Sequence, residues 1–133
     1  MTLAPAPVTL APRSKRLLGQ ALDGLVGAAP FIAGVILSSF SDDVGFVVAL
    51  GGLGWSVFYF LLADGLHDGQ SFAKRWLGMQ VVDAESGEPC TFGQSLVRNL
   101  LLAVLGPIDW IFIFGERHQR LGDKAAGTIV IAE

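Results

Sequence analysis

Three charged residues, Asp23, Arg98 and Asp109, lie inside segments that are otherwise apolar. A charge at the centre of a membrane helix costs about 2.5–3.5 kcal/mol on insertion scales, and less towards its ends. Such residues pair with one another or line a cavity. Asp23 follows Arg16 by roughly two helical turns, and Arg98 lies about one turn into the third apolar run. Both depths are close to one interface, so an Asp23–Arg98 ion pair is expected, with Asp109 joining it from beyond a break in the chain. With Arg16 and Gln20, these residues make a candidate intramembrane polar cluster. Two chemistries are open to it. One is a clamp that satisfies charges lipid cannot; the other is an ion or proton site with Asp23 and Asp109 as titrating carboxylates. A carboxylate with an arginine at hand stays ionised, which suits the clamp better.

The elements that must position these residues follow from hydropathy and charge. Apolar residues make up 52% of the chain and charged residues 16%, against roughly 25% charged in an average soluble domain. Two long apolar runs, Leu17–Phe40 and Val44–Ala63, are joined by Ser41-Asp42-Asp43, which carries no basic group. Arg13, Lys15 and Arg16 precede the first run. Lys74 and Arg75 follow the second, and Arg98, Arg117, Arg120 and Lys124 come later. All nine lysines and arginines can therefore sit on one side, which predicts a multi-pass protein of the bacterial inner (cytoplasmic) membrane with both termini cytoplasmic.

Within the first run, Arg16, Gln20, Asp23, Gly27, Pro30 and Gly34 recur at helical spacing and share a face. Proline there is tolerable if a neighbour satisfies the freed carbonyl. In the second run Gly45, Ala49, Gly52, Ser56, Tyr59 and Ala63 share another. Small residues at this spacing let two helices approach closely in lipid, so the two stripes are expected to pack on each other.

The third run, Ser95–Phe114, is interrupted by Gly106-Pro107. A single span would carry Arg117, Arg120 and Lys124 to the far side. Two short helices that dip in and return, about Phe92–Leu105 and Pro107–Gly115, keep them on the basic side. Thr91-Phe-Gly-Gln94 resembles a capping box for the first, and Pro107 is well placed to open the second. Ser71–Leu77 reads as a short interfacial helix, with Lys74 and Arg75 reaching anionic headgroups and Trp76 at headgroup depth. Gln80-Val81-Val82 and the β-branched end Gly127–Glu133 read as strands that pair, and Cys90-Thr91 as a short return strand.

The expected fold class is thus mainly α and integral to the membrane. It has two transmembrane helices, a Gly-Pro-broken re-entrant or interfacial hairpin and a small cytoplasmic β element. The expected boundaries are a Pro/Ala-rich tail at 1–15 and a membrane domain at 16–133. That domain divides into helices at 17–40 and 44–63, a cytoplasmic segment at 64–94, a broken apolar helix at 95–114 and a cytoplasmic C-terminal segment at 115–133. The first twelve residues do not read as a signal peptide, because they lack an early basic region and Pro5, Pro7 and Pro12 interrupt them.

Other classes find little support. A net charge of −3 gives no nucleic-acid footprint. The single cysteine, Cys90, excludes an internal disulfide and has no histidine in a catalytic arrangement. His67 and His118 have no second ligand at a metal spacing, so no metal or other cofactor is expected. No nucleophile–base pair or nucleotide fingerprint is present, and catalysis is not expected. The partners expected are membrane lipids and other membrane subunits; a homo-oligomer is an alternative.

Several of these segments, in order, resemble the RDD family of small bacterial membrane proteins. Arg16 and Asp23 resemble the arginine and first aspartate that give the family its name. Lys74-Arg75, Gly78–Val82 and Arg98-Asn99 resemble later family segments. The most specific match is Gln119-Arg120-Leu-Gly122-Asp123-Lys-Ala-Ala-Gly127-Thr128, where Asp123 resembles the second aspartate. The resemblance implies the architecture more firmly than the activity. Transport, including cation/proton exchange, has been suggested for some members, and others occur as accessory components of larger systems. The expected role here is a non-catalytic accessory or structural subunit. The alternatives are a homo-oligomeric cation/proton transporter and a module that binds anionic lipid.

Overall fold

The computed structural model describes residues 8–132. The first seven residues of the expected tail, and Glu133 of the expected C-terminal segment, lie outside the described residues.

Two helices dominate: α1, Arg13–Leu37, and α2, Asp42–Leu62. Both are long and apolar enough to cross a membrane. At 1.5 Å per residue, the 25 residues of α1 reach about 37 Å. α1 begins four residues before the apolar run because Pro12 opens it and Arg13, Ser14 and Lys15 continue it without a break. Ser41 caps α2 by accepting from the Val44 amide, and Asp42 and Asp43 suit the positive end of its dipole. We call the end of this hairpin remote from Ser41 its base.

The two small-residue stripes interlock. A Cβ on Gly34 would overlap the backbone of Ala49, one on Gly45 that of Ser38, and one on Gly52 that of Pro30 and Phe31. Pro30 cannot donate to the Val26 carbonyl one turn back. The Trp55 indole of α2 donates to that oxygen at 3.1 Å, and the Ser56 hydroxyl donates to Gly27 O at 2.6 Å. The proline is thus accommodated inside the helix by donors from its neighbour.

The remaining elements gather at the base. They are α3 (Phe72–Leu77), β1 (Met79–Asp83), α4 (Phe92–Leu105), α5 (Pro107–Ile111), α6 (Leu121–Ala126) and β2 (Thr128–Ala132). The capping box of α4 is formed, with Thr91 Oγ1 accepting from the Gln94 amide and Gln94 Oε1 from the Thr91 amide. At Gly106 the chain bends by 113° into α5 and a 3-10 turn, Phe112–Phe114. The pair is a broken span or a re-entrant loop by shape.

β1 and β2 are antiparallel, with Met79 opposite Ala132 and Asp83 opposite Thr128. The expected return strand at Cys90-Thr91 is reduced to one bridge, Val82 to Pro89, because Thr91 is already committed to capping α4. On the other edge of β2, Leu10 bridges Ile131, the Ala11 amide donates to Val130 O and the Ala132 amide to Thr9 O. The last residues of the tail are therefore held by the chain itself. Ala11, Met79, Val81, Cys90 and Val130 form a small apolar core beneath α1. Burial pushes the Cys90 thiol up to about 11, so it is inert at neutral pH.

Gly34→Ala forces α1 and α2 apart and is expected to cost about 1–3 kcal/mol in detergent unfolding followed by far-UV circular dichroism. Gly51→Ala, where an added Cβ meets nothing within 4 Å, is expected to be neutral or slightly stabilising. Equal effects at the two sites would refute the tight packing.

Candidate functional site

The chemistry of the described chain is concentrated at the base in one ionic network. Asp123 lies at the third position of α6, where its Oδ2 accepts from the Arg120 amide at 3.1 Å and closes the helix N-terminus. The same carboxylate receives Arg16 of α1 at 2.6 Å and Arg98 of α4 at 2.7 Å. Arg98 turns its other nitrogen to Asp64, just past α2, at 2.5 Å. Lys74 of α3 bridges Asp64 at 2.6 Å to Asp23 at 3.3 Å. Arg120 faces Asp109 of α5 at 3.4 Å and Asp123 at 3.7 Å. Four cations thus meet four carboxylates, drawn from α1, α3, α4, α5, α6 and the turn that follows α2.

The backbone is shaped to allow this. Gly122 donates its amide to Asp109 at 2.6 Å, and a Cβ there would strike the carbonyl of Arg98. Only glycine lets α6 come so near α4. Gly127 ends α6 at φ +70°, which sends the chain into β2. Gln119 donates to the Thr128 carbonyl at 2.7 Å across that corner. Arg16 also donates to the His118 carbonyl, and both Arg16 and Arg120 lie against the Trp110 ring.

Asp23 and Arg98 are not paired with each other. α4 docks on α2, where Ser95 donates to Leu61 O at 2.8 Å and Asn99 to Asp64 at 3.2 Å, so Asp64 meets Arg98 first. Asp23 instead anchors α3. Its carboxylate accepts from the hydroxyls of Tyr59 and Ser71, both at 2.6 Å, and from the Ala73 amide at 3.3 Å. Lys74, expected at headgroups, is only 7% exposed, because α3 turns it inward between two carboxylates. Arg75 and Trp76 are exposed. Asp123 is fully buried and held chiefly by Arg16 and Arg98. Gln20 lines a cleft beside the network. Asp64 and Asn99 are the members that sequence reasoning missed. Asn99 directly follows Arg98, and Asp64 is the first acid after the second apolar run; that position was the available signal.

Burial alone would raise the Asp123 carboxyl, but the guanidiniums of Arg98, Arg16 and Arg120 outweigh it and hold it far below the usual carboxylate range. Burial pushes the Arg120 guanidinium down. On the exposed side, the backbone amides of Ser86 and Glu85 hold Asp83 below its ordinary value. The Asp123 carboxylate is thereby held in its ionised form.

Arg98→Ala leaves Asp64 and Asp123 short of charge in a buried site, and a loss of about 3–5 kcal/mol is expected in denaturant titrations in detergent. Arg98→Lys is expected to recover little of it, because an ammonium does not supply the guanidinium fork that reaches both carboxylates. Because the folded pKa of Asp123 lies below its ordinary 3.8, its stabilisation is fully present above that value and fades as pH falls further. Unfolding measured from pH 7 downward is therefore expected to show no loss from Asp123 until about pH 4, and Asp123→Asn is expected to remove the part lost below it.

The model of the RDD family matches residues 10–127. An uncharacterized protein of Haemophilus influenzae is 29% identical over 136 residues, covering 97% of this chain and 82% of that protein. No solved structure matches the chain. The residues that resembled the family's named arginine and second aspartate, Arg16 and Asp123, are the two partners of the 2.6 Å ion pair above. The chain belongs to the RDD family.

Proposed function

We propose that this protein is a non-catalytic accessory or structural subunit of a larger membrane assembly. On this reading it is a multi-pass protein of the bacterial cytoplasmic membrane with its base and both termini on the cytoplasmic side. The observation that carries the role is the balance of the network: each buried carboxylate has a cation from the same chain. A network closed in this way knits elements together and leaves no group poised for chemistry. The orientation is supported by charge, since α1 starts with Arg13, Lys15 and Arg16 while Asp42 and Asp43 open α2 at the other end.

The outward surfaces of α1 and α2 fit the same reading. Leu25, Val35, Ile36, Phe46, Val47 and Leu50 are all exposed and apolar. They can face lipid or the helices of other subunits. Two spans enclose no pathway, so cation/proton exchange needs several copies. The feature that favours this second reading is Asp23, which lies beside the cleft. The anionic-lipid reading is weakened by the burial of Lys74.

Extraction of native membranes in mild detergent, with identification of chains that co-purify, tests the proposal. A foreign membrane protein at fixed stoichiometry is the expected result. A pure homo-oligomer that moves cations in vesicles, and stops when Asp23→Asn is introduced, would overturn it in favour of exchange.

A further inference from the structure

α1 and α4 both pack against α2, and a cleft of about 520 Å³ remains between them. This is within the size range of ligand pockets, about 300–1,000 Å³. Its walls are apolar: Gly24 and Ala28 from α1, Val57 and Phe60 from α2, Leu100 and Ala103 from α4. Its floor is charged, with Asp23, Asp64 and Lys74 at the base. Arg98, wholly buried, does not line it.

We infer that this cleft holds one phospholipid of the cytoplasmic leaflet, with a primary amine in its headgroup. The inference rests on the membrane orientation proposed above. Three features select the occupant. The first is polarity: the cleft is charged at the base and apolar above, in the order of a lipid of that leaflet. The second is height. From Asp64 to Ser56 is about 12 Å at helical rise, under half of a hydrocarbon core of about 30 Å. Beyond it α4 ends at Leu105, and α1 and α2 close on each other at Gly34–Ala49 and Gly45–Ser38. A spanning helix from a partner finds no continuous groove there, whereas a flexible acyl chain can leave the cleft sideways.

The third feature is charge. Two carboxylates flank one ammonium on the floor. The amine of an ethanolamine headgroup can meet Asp23, which lines the cleft. A glycerol headgroup brings only the negative phosphate towards two carboxylates. Phosphatidylethanolamine is therefore favoured over phosphatidylglycerol.

The full chain, reconstituted in nanodiscs of equal parts phosphatidylethanolamine and phosphatidylglycerol, can be released into native mass spectrometry. One retained phosphatidylethanolamine per chain is expected, in severalfold excess over phosphatidylglycerol. Ala28→Phe and Ala103→Phe fill the cleft from opposite walls, and each is expected to lower retention severalfold with unchanged circular dichroism. Equal retention of the two lipids, or retention that neither substitution alters, would overturn the inference. So would a photo-crosslinker at Ala103 that captures a protein chain in native membranes. Alkaline extraction separates the two readings. A chain released from membranes would refute the membrane insertion on which the site depends, whereas a chain that stays but retains no lipid would refute the site alone.

Discussion

The Asp123 carboxylate, shared by Arg16 and Arg98, is the interaction on which the base depends. It joins the first helix, the broken apolar segment and the C-terminal motif, which are distant in sequence. Charges moved from water into a protein interior lose several kcal/mol of hydration each, and their mutual attraction repays this only when geometry and hydrogen bonding are good. Here both carboxylate oxygens are used, and the Arg120 amide supplies a further donor. Net stabilisation by such a knot is small; the large term is the loss when one partner is removed. The network thus specifies one arrangement of the base more than it adds to stability, because a wrong docking leaves a buried charge without its counter-ion.

The hairpin above the base follows a different rule. Between helices in lipid, the surroundings proposed for this hairpin, burial of apolar surface gives no driving force, so close packing and hydrogen bonds must serve. Gly34, Gly45 and Gly52 bring the backbones together, and Trp55 and Ser56 donate to carbonyls near the proline. The two systems meet at Tyr59, which stacks on Phe72 and gives its hydroxyl to Asp23. From there the ionic chain runs through Lys74 and Asp64 to Arg98. The β pair and the segment before α1 add a small apolar floor that keeps α3 and α6 in register.

Much of this was legible in the residues. The small stripes, the break at Gly106-Pro107, the capping box at Thr91 and the two paired strands each depend on local periodicity or turn chemistry. Those signals survive in a single sequence. The polar cluster was legible in membership but less so in pairing. Asp23, Arg98 and Asp109 declare themselves because they interrupt apolar runs, and Arg16 because it shares a helical face with Asp23. Asp64 does not, since it opens a polar stretch and reads as solvated. Lys74 stands beside Arg75 on a helix of one and a half turns, and nothing local shows that one faces inward and the other outward. Both were decided by how α3 and α4 dock on the hairpin. The role in the cell is less legible still, because a balanced ionic knot carries no signature of a substrate.

The most direct test of the account is a double-mutant cycle on Arg16→Met and Asp123→Asn, read by unfolding in detergent. Contacting residues in one ionic network couple by about 0.5–3 kcal/mol, while independent sites add within about 0.3–0.5 kcal/mol. The account predicts coupling near the upper end of the first range, with the double variant less damaged than the sum of the singles. Additive losses would contradict it, for they would mean that the first helix and the C-terminal motif are held together by something other than this ion pair.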